Sequence, residues 1–351
     1  MDTLPAFALH RPRSLAEAVS ALAQPGARPL GGGTDLIVNL RRGLGAPPAL
    51  VDLTGIAELQ QITGGESGLA IGAAVRIADL AEHPWVRQHF SAVAEAAAAI
   101  AGPTQRLMGT VGGNLCLDTR CLYYNQSEWW REANAHCLKT TGSQCHVAPG
   151  SRGVCFATYS GDLAPALLVH GAVLELIGPA GARRLPLAGF FTGRARHGDP
   201  PCSGDGRYFL ALHPGEIIAA VQIPPAPGVV SGYDKLRVRR SIDYPVAGAA
   251  VALRREGEVL ASLQVAITGT NPRPVLLEGT GALCGARPGE ALWAGLEALV
   301  REQVMSMKTS FVAGMYRRRV AGVLARRLVA RLFDPVSPDR TPARSAGAAG
   351  P

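Results

Sequence analysis

The 351-residue chain predicts an α+β protein, and three observations carry that expectation. Up to about residue 224, short strand-like runs alternate with Ala-rich helical stretches. Two glycine-rich turns, Gly31 to Gly33 and Gly109 to Gly113, interrupt this part. Beyond Pro224-Pro225-Ala226-Pro227-Gly228, three apolar runs precede two amphipathic helical patterns. The composition agrees: 47% hydrophobic residues can fill a core, while 42 glycines and 26 prolines imply many turns and close backbone approaches. At roughly 150 residues per domain, the length suits two or three domains.

Taken in order, residues 3–13 contain prolines and are expected to be an extended lead-in. Ser14-Leu15-Ala16-Glu17 has the spacing of a capping box, and Leu15, Val19 and Leu22 recur at helical spacing, which predicts a helix over 14–24. A strand over 27–30 runs straight into Pro29-Leu30-Gly31-Gly32-Gly33-Thr34-Asp35-Leu36. Glycines there let backbone amides approach an anion, and a helix start adds its positive end, so the turn suits a pyrophosphate. The pattern matches neither G-x-G-x-x-G nor G-x-x-x-x-G-K-[ST], and a plain turn also accounts for it.

Strands are expected over 49–53 and 69–75, and helices over 77–80 and 90–101, the latter packed closely on a sheet through its alanines. The second turn, Gly109-Thr110-Val111-Gly112-Gly113-Asn114, follows. Two such turns on strand ends are expected to close on one dinucleotide from both sides. Asp162 follows a glycine at a predicted helix start, where an acidic side chain caps the helix or accepts from a ribose. Strands over 172–177 and 217–223 and a loop over 197–206 lead to the proline linker. Beyond it come strands over 231–238, 246–254 and 259–268. Leu292, Leu296, Leu299 and Val300 mark one helix, and Val320, Leu324, Leu328 and Leu332 another. The tail from Pro335 has almost nothing apolar to bury and is expected to be disordered.

The net charge of +8 is carried almost wholly by arginine, since only Lys139, Lys235 and Lys308 are lysines. The arginine clusters are scattered and mostly lack aromatic neighbours, which argues against nucleic acid. No apolar run is long enough to span a membrane and no signal pattern opens the chain, so a cytoplasmic protein with reduced thiols is expected.

Five of the seven cysteines fall between Cys116 and Cys155. Cys121, Cys137, Cys145 and Cys155 have 15, 7 and 9 residues between them, with Cys116 just upstream. An odd total without a signal disfavours disulfides. Zinc is a rival because His136 and His146 flank Cys137 and Cys145, but structural zinc favours close C-x2-4-C pairs and none occurs here. Iron–sulfur ligation tolerates wider, irregular spacing; buried, unligated thiols are the third possibility. Tyr123, Tyr124, Trp129 and Trp130 would form a local core or a shield against water. No Ser/His/Asp set, H-E-x-x-H or paired-carboxylate motif stands out, so a dinucleotide site with an inserted thiol cluster is what the chemistry offers.

With Pro29 to Leu36, Thr110 to Asn114, Gly161-Asp162-Leu163 and Lys235 ahead of Arg239, the chain resembles the FAD-binding subunits of the molybdenum hydroxylase and xanthine dehydrogenase family over residues 4–333. In ordinary members the T-x-G-G-N turn is followed closely by the Asp-Leu pair; here Asn114 and Asp162 lie 48 positions apart, with the four cysteines between them. Leu115 to Cys121 and Asn125 to Trp130 resemble the insert of one branch, the β subunits of 4-hydroxybenzoyl-CoA reductases. The resemblance implies a two-subdomain FAD-binding fold of the vanillyl-alcohol-oxidase (PCMH) type plus a C-terminal three-stranded sheet with helices. The implied boundaries are 1–57, 58–224 with an iron–sulfur insertion at about 115–156, 228–334, and a tail at 335–351. Also implied are FAD contacts at Pro29, Leu30, Gly31, Gly32, Gly33, Thr34, Asp35, Leu36, Thr110, Val111, Gly112, Gly113, Asn114, Asp162, Ile218 and Lys235. A [4Fe-4S] cluster would sit on Cys121, Cys137, Cys145 and Cys155, leaving Cys116 aside. Substrate chemistry would belong to a molybdenum-cofactor large subunit, reached through a [2Fe-2S] small subunit in a dimer of heterotrimers, with a ferredoxin-like donor.

Overall fold

The computed structural model describes residues 3–192, 204–239 and 241–334. Three sheets organise them. The first is parallel, with Ala49–Asp52 between Ala8–His10 and Arg28–Leu30, and the helix Leu15–Leu22 packs beside it. That helix starts as the sequence suggests, with the Ser14 hydroxyl accepting the Glu17 amide at 3.2 Å. The reciprocal bond reaches one residue further back, from the Arg13 amide to Glu17 Oε2 at 2.7 Å. Ala8–His10 lies in the stretch expected to be an extended lead-in. It pairs in register with Ala49 to Val51, yet its three residues are exposed, so no apolar alternation marks it.

The second sheet has the order Ile62–Gly65, Gly68–Gly72, Ile217–Ile223, Val173–Gly178, Gly181–Pro186, with antiparallel pairing throughout. Its third strand divides two cores, because successive side chains of a strand point to opposite faces. Ile217 joins the small N-terminal core, whereas Ile218 joins the main core. The short helices Ile77–Glu82, Pro84–His89, Ser91–Ala99 and Leu163–Leu168 supply much of that main core.

The C-terminal sheet is antiparallel and among the described residues has four strands rather than three. Val229–Leu236, Ala247–Glu256 and Val259–Thr268 are joined by the two-residue strand Val275–Leu276, which is too short for its periodicity to show in sequence. Helices Glu290–Gln303 and Gly314–Phe333 cover one face. The other face contributes Tyr233, Ala250, Ala252 and Ala266 to the main core. Small side chains on this sheet and on Ser91–Ala99 let the two approach closely, as the alanine run predicts. The main core therefore continues past the proline linker, while a second core lies wholly beyond it. The expected loop over 197–206 falls largely outside the described residues, and the tail from Pro335 falls wholly outside them.

Candidate flavin and thiol site

The two glycine turns are packed directly against each other. A Cβ on Gly31 would press on the Thr110 hydroxyl, and one on Gly32 would overlap the carbonyl of Met108, so both positions need glycine. Gly33 has φ +71°, which sets the chain into the helix Leu36–Arg41. Among the described residues the amides of Gly32, Gly33 and Thr34 donate to no backbone carbonyl, which leaves donors for an anion. The second turn opens the helix Val111–Leu115, capped by the Thr110 hydroxyl accepting the Gly113 amide at 3.2 Å. The amide of Gly112 donates to Ala73 at 2.8 Å and pins this turn to the second sheet. A cradle of two interlocked glycine turns, closed to any larger residue, fits the pyrophosphate of a dinucleotide.

Asp162 does not cap the helix Leu163–Leu168, because its carboxylate is engaged elsewhere. Tyr233 donates to Oδ1 at 2.5 Å and the Lys235 ammonium to Oδ2 at 3.0 Å. All three side chains are buried. Burial pushes the Asp162 carboxyl up and the Lys235 ammonium down, and each is opposed by the other's charge. The cap comes instead from Asn114, whose Oδ1 accepts the Leu163 amide at 3.2 Å. Arg239, the last residue of the K-x-x-x-R stretch, closes its own loop by pairing with Asp243 at 2.7 Å. Ile218 lies in the main core.

The insertion is pinched at its neck. Arg120 and Thr158 exchange two backbone bonds of 2.7 Å, and the Tyr159 hydroxyl donates to the carbonyls of Asn114 and Leu115. The Arg120 guanidinium also pairs with Asp35 of the first glycine turn and lies over the Tyr244 ring of the C-terminal part, at 4.6 Å. Asp35 Oδ2 further accepts the Asp118 amide at 3.0 Å. Buried Arg131 of the helix Glu128–Ala133 bonds to the carbonyl of Arg42, tying the insert to the N-terminal sheet region.

Inside the insert, Cys121, Cys137, Cys145 and Cys155 are all buried and line one small cavity of about 10 Å³, shared with Tyr123, Tyr124, Leu138, Lys139 and His146. Burial pushes the Cys121 thiol up to about 11 and the Cys155 thiol to about 12. The amides of Tyr123 and Tyr124 pull Cys121 back down, and the Lys139 charge and the Ala157 amide do the same for Cys155. Cys116 stands apart, packed against the main core. Its thiol is pushed to about 12 by burial. Cys202 lies outside the described residues. His146 lines the cavity, but its Nε2 bonds to the carbonyl of His136 at 2.6 Å. Among the described residues no three His, Cys, Asp or Glu side chains gather as a single-ion site. Of the aromatics, Tyr123 and Tyr124 line the cavity and Trp130 sits 6.1 Å from Tyr123, whereas Trp129 is 76% exposed and shields nothing.

Sequence reasoning missed Asp118, Arg120 and Lys139, which join the first glycine turn to the thiol cavity. Their partners lie up to 124 residues away, so spacing gave no sign of them. The scarcity of lysine was the one available signal.

Comparison with known proteins agrees with this geometry. Residues 5–226 match the family described as the FAD binding domain in molybdopterin dehydrogenase. The aldehyde oxidoreductase FAD-binding subunit PaoB of Escherichia coli is 31% identical, over 91% of this chain and 98% of that protein. The carbon monoxide dehydrogenase medium chain of Afipia carboxidovorans is 29% identical, over 93% of this chain and 96% of that one. A crystal structure of the Cu,Mo-CO dehydrogenase superposes with a TM-score of 0.75 at 28% identity, covering 94% of this chain and 99% of that one. Among the described residues no helix is long and apolar enough to cross a membrane. With two interlocked glycine turns at its centre, the chain belongs to the FAD-binding medium subunits of the molybdenum hydroxylase family, with FAD as its cofactor.

Proposed function

We propose that this chain is the FAD- and [4Fe-4S]-bearing electron-transfer subunit of a cytoplasmic molybdenum enzyme of the 4-hydroxybenzoyl-CoA reductase type. The observation that carries the proposal is the gathering of four buried thiols from one insertion into one cavity, at a neck that closes beside the flavin turns. Cys121, Cys137, Cys145 and Cys155 would ligate the cluster. Assembly of the cluster would accompany folding of the insert, as it does in other metal sites. Pro29 to Leu36 and Thr110 to Asn114 would hold the pyrophosphate and ribityl parts of FAD, with Asp162, Ile218 and Lys235 completing the pocket. Bound FAD supplies a carrier able to hold one or two electrons.

Reductive removal of a ring hydroxyl, here from 4-hydroxybenzoyl-CoA to give benzoyl-CoA, demands strongly reducing electrons delivered singly. An added cluster between a ferredoxin-like donor and the flavin meets that demand. The large molybdenum subunit and the small [2Fe-2S] subunit would be partners in a dimer of heterotrimers. Iron and acid-labile sulfide analysis of anaerobically purified complex is the primary test. About four irons per chain support the cluster, whereas stoichiometric zinc without iron would overturn it. Benzoyl-CoA formation with a low-potential donor then tests the substrate. A second reading, an oxidising hydroxylase sending electrons outward, is favoured by the relatives' names, an aldehyde oxidoreductase and a carbon monoxide dehydrogenase. Substrate-dependent reduction of an added acceptor would select it.

A further inference from the structure

Lys139 is one of three lysines in the chain and lies two residues beyond Cys137. Its side chain is 6% exposed and lines the thiol cavity, which its acidic partner Asp118 does not. The ammonium donates to Asp118 Oδ1 at 2.6 Å, to the Thr119 carbonyl at 3.0 Å and to the Gly206 carbonyl at 3.3 Å. It also lies 4.4 Å from the centroid of the Tyr124 ring. These partners come from three separate stretches of chain and hold the charge in one place. Asp118 is held in turn by the Tyr124 hydroxyl at 2.8 Å and through its own amide by Asp35 at 3.0 Å. One chain of polar contacts thus runs from Lys139, in the wall of the thiol cavity, through Asp118 to the first glycine turn. The other carboxylate near Cys155, Asp205, is neutralised by Arg207 at 2.6 Å.

An ammonium is costly to bury, and an apolar side chain of similar length would line this cavity without that cost. What the lysine adds is a positive charge in the wall of the thiol cavity, where it acts on Cys155. We infer that Lys139 sets the reduction potential of the cluster on Cys121, Cys137, Cys145 and Cys155, and that Asp118 positions it. This rests on the reading of those cysteines as cluster ligands. Four thiolates leave such a cluster net negative, and the added electron makes it more so. A fixed cation in a low-dielectric site therefore stabilises the reduced form more than the oxidised one and raises the potential. Asp118 weakens the effect only partly, because it does not line the thiol cavity as Lys139 does.

The test is an anaerobic dithionite titration of the purified complex, following the electron paramagnetic resonance signal of the reduced cluster in wild type, Lys139→Met, Lys139→Arg and Asp118→Asn. The midpoint is expected to fall in Lys139→Met, to stay near wild type in Lys139→Arg and to rise in Asp118→Asn. An unmoved midpoint in Lys139→Met with full iron content overturns the inference. Should Lys139→Met fail to take up iron, an unmoved or lower midpoint in Asp118→Asn overturns it equally. Wild-type complex without iron and sulfide overturns the cluster itself, and that outcome is read before any variant is compared.

Discussion

The side-chain oxygen of Asn114 accepts the amide hydrogen of Leu163 across 49 positions of chain. This bond brings the two ends of the insertion together and caps the helix Leu163–Leu168 in the same contact. The second glycine turn consequently stays joined to the helix Leu163–Leu168 although the long loop over 115–161 lies between them. Arg120 and Thr158 repeat the closure one layer further out.

Asn114→Ala leaves the Leu163 amide without its partner in a buried setting, which costs about 1–3 kcal/mol. Thermal unfolding should show the loss, and FAD content should fall with it, because the capped helix supports Asp162. Asn114→Asp retains an acceptor oxygen and should keep most of the stability. Equal melting temperatures for Asn114→Ala and wild type would show that the cap contributes nothing.

At Gly32 the chain meets the Met108 carbonyl with no room for a methyl group. Gly32→Ala must push the two glycine turns apart, at a cost of about 1–3 kcal/mol or more. Flavin absorbance per chain should drop severalfold. Gly65→Ala is the matched control, since nothing lies within 4 Å of its added Cβ; its stability should stay within about 0.5 kcal/mol of wild type.

These turns were legible in sequence because a close backbone approach admits only one residue type, and that residue is visible. Long apolar strands such as Val259–Thr268 were legible for a similar reason, since most of their residues are buried. The strand Ala8–His10 was not, because its exposed residues carry no alternation. Asp162 looked like a helix cap by position, and only the fold brings Tyr233 and Lys235 to it. The four thiols could be recognised as a set, but their convergence depends on turns such as Ala135 and His136, at φ 54° and 52°, which no periodicity announces.

His170 gives the protein a predictable acid sensitivity. Its ring packs edge-on to Phe90 at 5.1 Å, and Nε2 is buried without a partner among the described residues. Burial lowers its pKa from 6.5 to about 4. A folded-state value below the unfolded one means that the stability due to neutral His170 is complete above pH 6.5 and is lost as pH falls toward 4. The full effect is about 3 kcal/mol. His170→Leu should flatten unfolding free energy against pH over that window, as read by urea denaturation. An unchanged slope would mean that the ring is solvated in the folded state.

The cysteines should separate cleanly into two groups. Cys121, Cys137, Cys145 and Cys155 share the cavity, so Cys137→Ser or Cys145→Ser should abolish bound iron. FAD should remain at wild-type content, because the glycine turns lie outside the insert and the paired 2.7 Å bonds of Arg120 and Thr158 close the neck between the two regions. Cys116→Ser should keep its iron, since that thiol packs on the main core. Iron and flavin contents of the same anaerobic preparations decide the matter. Loss of iron in Cys116→Ser would move one ligand out of the cavity set. Loss of FAD in Cys137→Ser, with the far-ultraviolet circular dichroism intact, would make the insert part of the flavin pocket and turn the neck from a boundary into a hinge between the two cofactors.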